Sequence, residues 1–396
     1  MIPGIDPTLA EAWLHGWSEV VFRIPVLGFP IRWYGLSYLA GFLVAWLVLK
    51  RLARRGLIMI PESRVSDAIV LLVAGVIVGG RLGYCVFYQP SLLISFDAGF
   101  PFWGLLRTTE GGMASHGGMI GVVLACWWIS RGFKDESGVR VGSCPVLHVA
   151  DSIALVAPFG LFFGRVANFV NGELLGRIVT PAASGEAAPW WSVRYPQEVV
   201  NRTEEWLANT TPAQQGEVLA LLEEFEPVAP GADVVFRERF ALLLERFQTG
   251  SSEVRAVIGA RLEPLINARA PSQLLQAAAE GLAVGVVLWL VAMKPRRAGV
   301  IGAWFLMVYG VGRIATEFVR LPDTHFAEGA ERLLGLSRGQ WLSAAMVLVG
   351  AGLLAFVTRR ASETYLGWRS GSSALASGAE ASEAVGEPEA ERDQAG

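Results

Sequence analysis

Seven long apolar runs, separated by polar stretches, dominate the pattern of this chain. Their approximate bounds are 34–49, 66–88, 117–130, 149–169, 274–293, 299–319 and 341–358. Most approach the ~17–25 residues that a helix needs to cross the hydrocarbon layer. The third run is short, so we expect its helix to begin before Gly117 or to tilt little in the membrane. The pattern predicts an all-α integral membrane protein, a bundle of about seven transmembrane helices.

Composition supports this class. Hydrophobic residues make up 53% of the 396 residues and charged residues only 17%, whereas soluble proteins carry about a quarter charged residues. The net charge of −3 identifies no partner. The sequence contains no basic patch of the kind that would predict nucleic-acid binding. The four histidines are scattered and the three cysteines form no CxxC pair, so we expect no metal and no cofactor.

The loops between the runs indicate an orientation. Basic stretches follow the first, third, fifth and seventh runs: KRLARR, RGFK, KPRR and Arg359-Arg360. Positive loops face the cytoplasm, which predicts a periplasmic N-terminus and a cytoplasmic C-terminus. Residues 1–28 lack the pattern of a signal peptide. We expect an interfacial helix there, with Trp13 and Trp17 on its apolar face.

Two polar segments complete the predicted organisation. Residues 178–269 contain apolar positions at three- and four-residue spacing and predict a helical periplasmic insertion. The end of the chain is rich in Ala, Gly, Ser and Glu and predicts disorder. The predicted divisions are 1–177 (N-terminal interfacial segment and spans one to four), 178–269 (periplasmic arm and helical insertion), 270–360 (spans five to seven) and 361–396 (disordered acidic cytoplasmic tail).

Polar side chains concentrate at one depth of the predicted bundle. At 1.5 Å per residue, Arg81 lies roughly 22 Å along the second span, in its outer half. The same count brings further polar residues to the outer leaflet, on one face of each helix. These residues are Arg32, Tyr34, His116, Arg165, Asn168, Tyr309, Arg313 and Glu317.

A purely structural explanation competes with a functional one here. Each polar residue alone could join helices, for example by pairing Glu317 with Arg313 or Arg320. Taken together, the arginines outnumber the carboxylates that we expect in the same region, which favours binding of an external anion. Guanidinium groups suit phosphate oxygens, and a phosphate at this depth belongs to a phospholipid headgroup.

His116 is a candidate for proton transfer, because its ordinary pKa lies near neutrality. The alternative is a histidine that contacts only water at the end of a span. We expect the glycine pairs on either side, Gly111-Gly112 and Gly117-Gly118, to leave space for a ligand.

Several blocks resemble one family closely. GRVANFVNGELLGR at residues 164–177 resembles the signature of prolipoprotein diacylglyceryl transferases. Further family blocks follow the same order over nearly all seven spans: IRWYGLSYLAG, GGRLGYCVFY, GGMASHGGMIG, APSQLLQAAAEG, YGVGRIATEFVRLPD and LSRGQWLSAAM. The resemblance implies a bacterial inner-membrane enzyme that moves the diacylglyceryl group of phosphatidylglycerol to the lipobox cysteine of prolipoprotein signal peptides. The products would be a thioether and glycerol phosphate.

The resemblance also implies site residues. The family's essential positions correspond to Tyr34, His116, Arg165, Asn168, Gly176, Tyr309 and Arg313, with Glu173 in the signature. We assign catalysis to His116, Arg165, Arg313, Tyr34 and Tyr309. We assign substrate binding to Arg165, Asn168, Arg81, Glu173, Gly176 and Glu317. His116 is our candidate base, and Arg165 and Arg313 would stabilise the charge on the departing phosphate.

Two departures from the family pattern keep alternatives open. The usual HPSQLYE appears as APSQLLQ, with Ala270, Leu275 and Gln276 in place of histidine, tyrosine and glutamate. The arm after the signature is also much longer than usual. A lipid-binding scaffold without activity is therefore one alternative. A lipid flippase or organic-anion transporter is another, although it predicts polar groups along the whole membrane path.

Overall fold

The fold is a set of long apolar helices joined by short strands and a helical insertion. The computed structural model describes residues 12–25, 28, 30–97, 99, 101–107, 111–227, 235–321, 332–333, 336–360 and 363–369. The helices are α1 (Trp33–Arg54), α2 (Val65–Phe87), α3 (Ser115–Ser130), α4 (Val146–Ala154), α5 (Ala157–Asn171), α6 (Glu198–Asn201), α7 (Thr203–Ala208), α8 (Pro212–Phe225), α9 (Phe236–Thr249), α10 (Ser252–Leu262), α11 (Ser272–Gln276), α12 (Val284–Val291), α13 (Val300–Glu317) and α14 (Arg338–Arg359).

Short strands connect these helices. The strands are β1 (Trp13–Leu14), β2 (Val20–Arg23), β3 (Pro30–Arg32), β4 (Phe133–Lys134), β5 (Arg140–Val141), β6 (Ile178–Thr180), β7 (Val193–Arg194), β8 (Ala268–Arg269), β9 (Pro295–Arg297), β10 (Arg332–Leu333), β11 (Leu336–Ser337) and β12 (Thr364–Leu366). The chain divides into two compact units. The first unit contains Met1–Gly41, Gly160–Ala283 and Tyr309–Ala345, and the second contains Phe42–Phe159, Val284–Val308 and Met346–Gly396.

The membrane-spanning helices agree with the apolar runs, although the predicted count of seven is not confirmed. Among the described residues, five helices are long and apolar enough to cross a membrane. The pair α4 and α5, bent by 41°, forms a sixth if it is one span. The predicted third span is α3, which has 16 residues and begins at Ser115, before Gly117 as expected. The protein is thus a multi-pass, mainly α-helical membrane protein.

The N-terminal segment of the first unit is extended, so the prediction of an interfacial helix there is wrong for residues 12–25. Strand β1 instead pairs in parallel with β7, and Trp13 lies opposite Val193. Strand β7 pairs with β8 and β8 with β6, which completes a four-stranded sheet. His15 follows β1 and is fully buried against Tyr195 and Phe169. Strand β1 is held by pairing with residues about 180 positions away in the chain, and helical periodicity does not encode such a contact.

The insertion between β7 and β8 has a helical core of its own. Helix α8 begins with a capping box, in which the Thr211 side chain accepts from the Gln214 backbone and Gln214 bonds back. Helix α10 begins at an N-cap serine. Helices α7, α8 and α9 contribute Trp206, Leu221 and Phe240 to one buried apolar cluster, which contains ten other residues. The apolar periodicity in this segment therefore corresponds to packed helices.

A buried ion pair joins this insertion to the chain that leaves α5. Arg269 and Glu198 are both fully buried, and Arg269 Nε donates to Glu198 Oε2 at 2.5 Å. The backbone N–H of Asn267 donates to the other oxygen of Glu198 at 2.7 Å. Arg269 also donates to the carbonyl of Gly176 at 3.1 Å. Buried charges are costly unless they are paired, so Glu198 holds the Arg269 side chain in place. The hydrogen bond from Arg269 then fixes the backbone at Gly176.

In the second unit, α2 and α3 approach closely along glycines. Gly75, Gly79 and Gly83 lie at four-residue spacing on α2, opposite Gly117 and Gly121 on α3. A Cβ atom added at Gly121 would lie 1.9 Å from the carbonyl oxygen of Gly75. Small residues at this spacing allow helix backbones to contact in a membrane.

Two further contacts organise the second unit near the start of α13. The buried carboxylate of Asp151 accepts from the backbone N–H groups of Gly299 and Gly302, at 2.7 and 2.6 Å. Strand β12 pairs with β9. Residues 363–369, which we expected to belong to a disordered tail, are therefore ordered. Residues 361–362 and 370–396, the rest of that predicted tail, lie outside the described residues.

Candidate active site

A fully buried carboxylate, Glu280, lies between two of the predicted arginines in the first unit. Glu280 belongs to a π-helical turn, Ala277–Ala283, that continues α11. Arg165, in the middle of α5, donates to Glu280 Oε2 from Nη2 at 2.9 Å and from Nε at 3.2 Å. Arg313 Nη1 on α13 lies 3.8 Å from Glu280 Oε1. Thr316 donates to the same oxygen at 3.1 Å. Glu280 thus fixes the guanidinium plane of Arg165 and brings Arg313 beside it.

A second carboxylate, Glu317, lies close to the same guanidinium nitrogen of Arg313. Arg313 Nη1 lies 2.9 Å from Glu317 Oε2, one helical turn away, and Arg320 Nη1 lies 4.0 Å from the same atom. Ser337 donates to Glu317 Oε1 at 3.1 Å. The stripe Tyr309, Arg313 and Glu317 lies on one helix as its spacing predicts. The ion pairs that we considered for Glu317 are present, but they join residues of α13 and the turn that follows it, and do not join two helices.

The signature residue Asn168 links two other elements in the same unit. Its amide donates to Tyr34 Oη at 3.5 Å and to Glu173 Oε2 at 3.2 Å. Asn171 donates to the second oxygen of Glu173 at 3.2 Å. Gln273 donates to the backbone carbonyl of Glu173 at 2.5 Å. These contacts fix Glu173 just beyond the end of α5.

Tyr309 lies among the charged groups of this cluster. It is close enough to Glu280, Arg165 and Arg313 to interact electrostatically with all three. The structure thus brings together, within one unit, most of the residues predicted from the sequence. They are Tyr34, Arg165, Asn168, Glu173, Tyr309, Arg313 and Glu317.

Gly176 has a packing reason for being glycine. A Cβ atom there would lie 2.1 Å from the carbonyl oxygen of Ala270 and 3.2 Å from that of Val319. Gly176 also forms an antiparallel bridge with Arg320. The chain after α5 is turned by Gly172, whose φ is +64°. Gly176 is therefore a point of close contact between backbone segments, and this contact supports the site.

Arg81 belongs to the second unit, where backbone carbonyls surround it. Its side chain donates to the carbonyls of Leu105 and Gly111, both at 2.7 Å. It also donates to those of Gly104 at 2.8 Å and Gly112 at 3.0 Å. Arg81 is only 5% exposed. The geometry shows an arginine that anchors the loop before α3.

His116 also belongs to the second unit, in the first turn of α3, and its side chain is exposed. Two of the four flanking glycines, Gly112 and Gly117, have a packing role, whereas a Cβ atom added at Gly111 would have open space around it among the described residues. A Cβ atom at Gly117 would lie 2.2 Å from the carbonyl oxygen of Gly79, and one at Gly112 would lie 2.7 Å from Arg81 Nη1. These two glycines are required by packing against α2, so they do not indicate space for a ligand.

The altered APSQLLQ segment begins beside the cluster. Ala270 is buried, and its backbone N–H donates to the carbonyl of Arg177 at 3.0 Å. Gln276 is fully buried, and neither polar atom of its side chain has a hydrogen-bond partner among the described residues. An unpaired buried amide is costly. Gln276 lies one helical turn before Glu280. Within the described part of the altered segment, its side-chain amide is the polar group that is left without a hydrogen bond.

Glu280 is the residue that sequence reasoning missed, and it changes the charge count. The first unit brings together Arg165, Arg313 and Arg320 with Glu173, Glu280 and Glu317. The expectation that arginines outnumber carboxylates is therefore wrong for these described residues. A signal was available, because a glutamate inside an apolar helical run is expensive unless it has a partner. What the geometry indicates is a set of arginines held in fixed positions by carboxylates.

Comparison with known proteins agrees with the geometry. The family profile described as prolipoprotein diacylglyceryl transferase matches residues 19–356. A phosphatidylglycerol–prolipoprotein diacylglyceryl transferase of Bdellovibrio bacteriovorus is 39% identical over 377 residues, which cover 91% of this chain and 98% of that protein. The proteins of the same name from Ralstonia pickettii and Neisseria gonorrhoeae are 35% and 32% identical, over 84% and 85% of this chain and 91% and 94% of their own lengths. The chain belongs to the prolipoprotein diacylglyceryl transferase family.

Proposed function

We propose that this protein transfers the diacylglyceryl group of phosphatidylglycerol to the cysteine thiol of a prolipoprotein lipobox, which is the first step of bacterial lipoprotein maturation. The observation that carries the proposal is the buried Arg165–Glu280–Arg313 arrangement in a chain of this family. It provides two arginines of fixed position for a lipid phosphate.

The arginines serve the step in which the phosphate departs. The cysteine sulfur attacks the glyceryl carbon that carries the phosphate ester, and a C–S bond forms as the C–O bond breaks. The bonding electrons leave with the oxygen of glycerol phosphate, where negative charge develops. Fixed cations at that position lower the barrier without reorganising during the reaction. We assign this role to Arg165 and Arg313, with Asn168 as a neutral hydrogen-bond donor.

The thiol must lose its proton before it attacks, because the thiolate is the nucleophile and the ordinary pKa of a thiol is about 8.5. His116 is our candidate base by its chemistry. It would take the thiol proton and pass it to water or to the departing phosphate. We assign Tyr34 and Tyr309 to orienting the substrates, and Glu173 and Glu317 to holding the donors Asn168 and Arg313. Arg81 and Gly176 would act by positioning the loops that they anchor.

The orientation proposed for the chain follows from its basic loops. The positive-inside rule supports a periplasmic N-terminus, a cytoplasmic C-terminus and an insertion in the periplasm of a bacterial inner membrane. The arginine cluster would then lie near the outer leaflet. There a lipid-embedded substrate and a signal peptide can both reach it, and glycerol phosphate can leave to water.

The test is a mass measurement on a synthetic lipobox peptide incubated with purified protein and phosphatidylglycerol. We expect a gain of one diacylglyceryl group on the cysteine peptide and none on a peptide with alanine in its place. Arg165→Ala and Arg313→Ala should each lower turnover about 10²- to 10³-fold. Arg261→Ala, which removes an ion-paired arginine of the insertion, is the matched control.

Each other outcome contradicts part of the proposal. Well-folded protein that binds phosphatidylglycerol but modifies no peptide would identify a lipid-binding scaffold, the alternative favoured by the altered segment around Gln276. Unchanged turnover in both arginine variants would refute the phosphate-binding assignment while leaving the transferase activity in place.

A further inference from the structure

A groove in the second unit lies far along the chain from the arginine cluster, at the C-terminal end of α1. Its volume is about 200 Å³. Four of its lining residues, Leu47, Val48, Arg51 and Arg55, lie along the C-terminal end of α1, with Arg55 directly after its last residue. Trp289, on α12, and Trp368, after β12, also line it. Its walls are therefore mainly apolar, with two cationic side chains on a single helix.

The two tryptophans form a wall of fixed shape. Trp289 Nε1 donates to the backbone carbonyl of Leu155 at 3.1 Å, and Trp368 Nε1 donates to the carbonyl of Trp289 at 3.2 Å. The two rings contact edge to face, with centroids 6.0 Å apart. Because both indole N–H groups donate to the backbone, the two tryptophans contribute apolar ring surface to the groove and no free hydrogen-bond donor.

The two arginines of the groove differ from their neighbours in having no carboxylate partner among the described residues. Arg54 Nε donates to Glu62 Oε1 at 2.6 Å, and Lys50 Nζ lies 4.0 Å from the same oxygen. Arg51 and Arg55 make no such pair within the described ranges, and both are exposed. They are four residues apart, so they lie on the same face of the helix. None of the residues that line the groove is acidic.

We propose that this groove binds an anionic phospholipid of the cytoplasmic leaflet. Its phosphate would lie between Arg51 and Arg55, and an acyl chain would follow Leu47, Val48 and the tryptophan rings. The placement in that leaflet rests on the orientation argued under the proposed function. Basic pockets at the cytoplasmic ends of transmembrane helices bind the phosphates of lipid headgroups. Two arginines favour a lipid with a net negative charge over a zwitterionic lipid, whose net charge is zero.

The acidic end of the chain is the competing occupant. It follows Trp368 and carries several glutamates, so its charge is also complementary to the arginines. Its residues are mainly Ala, Gly, Ser and Glu. Such side chains cannot cover the apolar walls, whereas an acyl chain can. The apolar lining therefore favours a lipid.

The experiment is photolabelling of the full-length protein in bilayers that contain a trace of phosphatidylserine with a diazirine on its acyl chain. Labelled peptides are then located by mass spectrometry. We expect labelling of the peptides that contain Val48, Trp289 or Trp368. The double variant Arg51→Gln/Arg55→Gln should lower this labelling about 30-fold, or about five-fold for each arginine. Arg54→Gln, whose arginine is paired with Glu62, is the matched control and should change it little.

Three outcomes would overturn the proposal. Equal labelling by a phosphatidylcholine probe would show contact with bulk lipid only. Equal labelling of the double variant would remove the role of the arginines. Labelling that appears only after deletion of residues 371–396 would assign the groove to the chain's own acidic end. Because labelling is measured without turnover, failure of the peptide-modification assay leaves this test intact.

Discussion

Replacing Glu280 with glutamine tests whether the buried carboxylate sets the geometry of the site. Glu280→Gln preserves the size of the side chain and removes its charge. Glu280 is completely buried, accepts two hydrogen bonds from Arg165, at 2.9 and 3.2 Å, and lies 3.8 Å from Arg313. The glutamine would leave both guanidinium groups without the carboxylate that now lies between them.

The expected loss follows from those contacts. A hydrogen bond to a charged group contributes about 1.5–3 kcal/mol, against about 0.5–1.5 kcal/mol for a neutral one. Two bonds weakened by roughly 1 kcal/mol or more each give a loss of about 2–3 kcal/mol. If this free energy is lost from the transition state, kcat/KM falls about 30- to 150-fold.

The assay measures kcat and KM for a lipobox peptide at several phosphatidylglycerol concentrations, with thermal unfolding in parallel. Glu280→Asp retains the charge and should recover part of the activity. Glu223→Gln removes an exposed carboxylate that pairs with Arg239 and serves as the control. A folded Glu280→Gln protein with kcat/KM within about three-fold of the unaltered protein would refute the positioning role.

Two further predictions concern the support of the site. Gly176→Ala places a Cβ atom 2.1 Å from a carbonyl oxygen, so the backbone must move, and we expect a loss of about 1–3 kcal/mol of stability, measured by thermal unfolding. Burial lowers the pKa of His15 to about 4. The stability due to neutral His15 is therefore complete above pH 6.5, the ordinary value, and is lost as the pH falls toward 4, by up to about 3 kcal/mol.

Each of these predictions has a control. Gly216→Ala adds a Cβ atom in open space on helix α8 and should leave stability unchanged or slightly raised. For the pH effect, His15→Phe should flatten the dependence of unfolding between pH 6.5 and 4. The prediction fails if that variant keeps the full slope, since another group would then be titrating.

Much of the membrane architecture was predictable because it depends on local pattern. A helix that crosses lipid satisfies its own backbone hydrogen bonds, so length and hydropathy reveal it. The third span was the exception in length, because α3 reaches only 16 residues. It packs against α2 through Gly117 and Gly121, and the short apolar run alone did not show that contact.

Part of the site was predictable for the same reason. Arg313 and Glu317 are four residues apart, and helical periodicity places them on one face. Arg165 and Asn168 share a face of α5 in the same way. The pairing of Arg165 with Glu280 was not predictable, since 115 residues separate them and only the packing of their helices brings them together.

The sequence by itself determined which segments form long apolar helices, which faces of those helices are polar and which family the chain resembles. Each of these properties depends on residues close together in the chain or on short motifs. Only the tertiary structure decided that Glu280 holds the arginines, that carbonyls surround Arg81 and that the N-terminal segment is a strand paired with β7. These features depend on contacts between distant segments, where burial makes an unpaired charge or backbone group costly and so selects one partner.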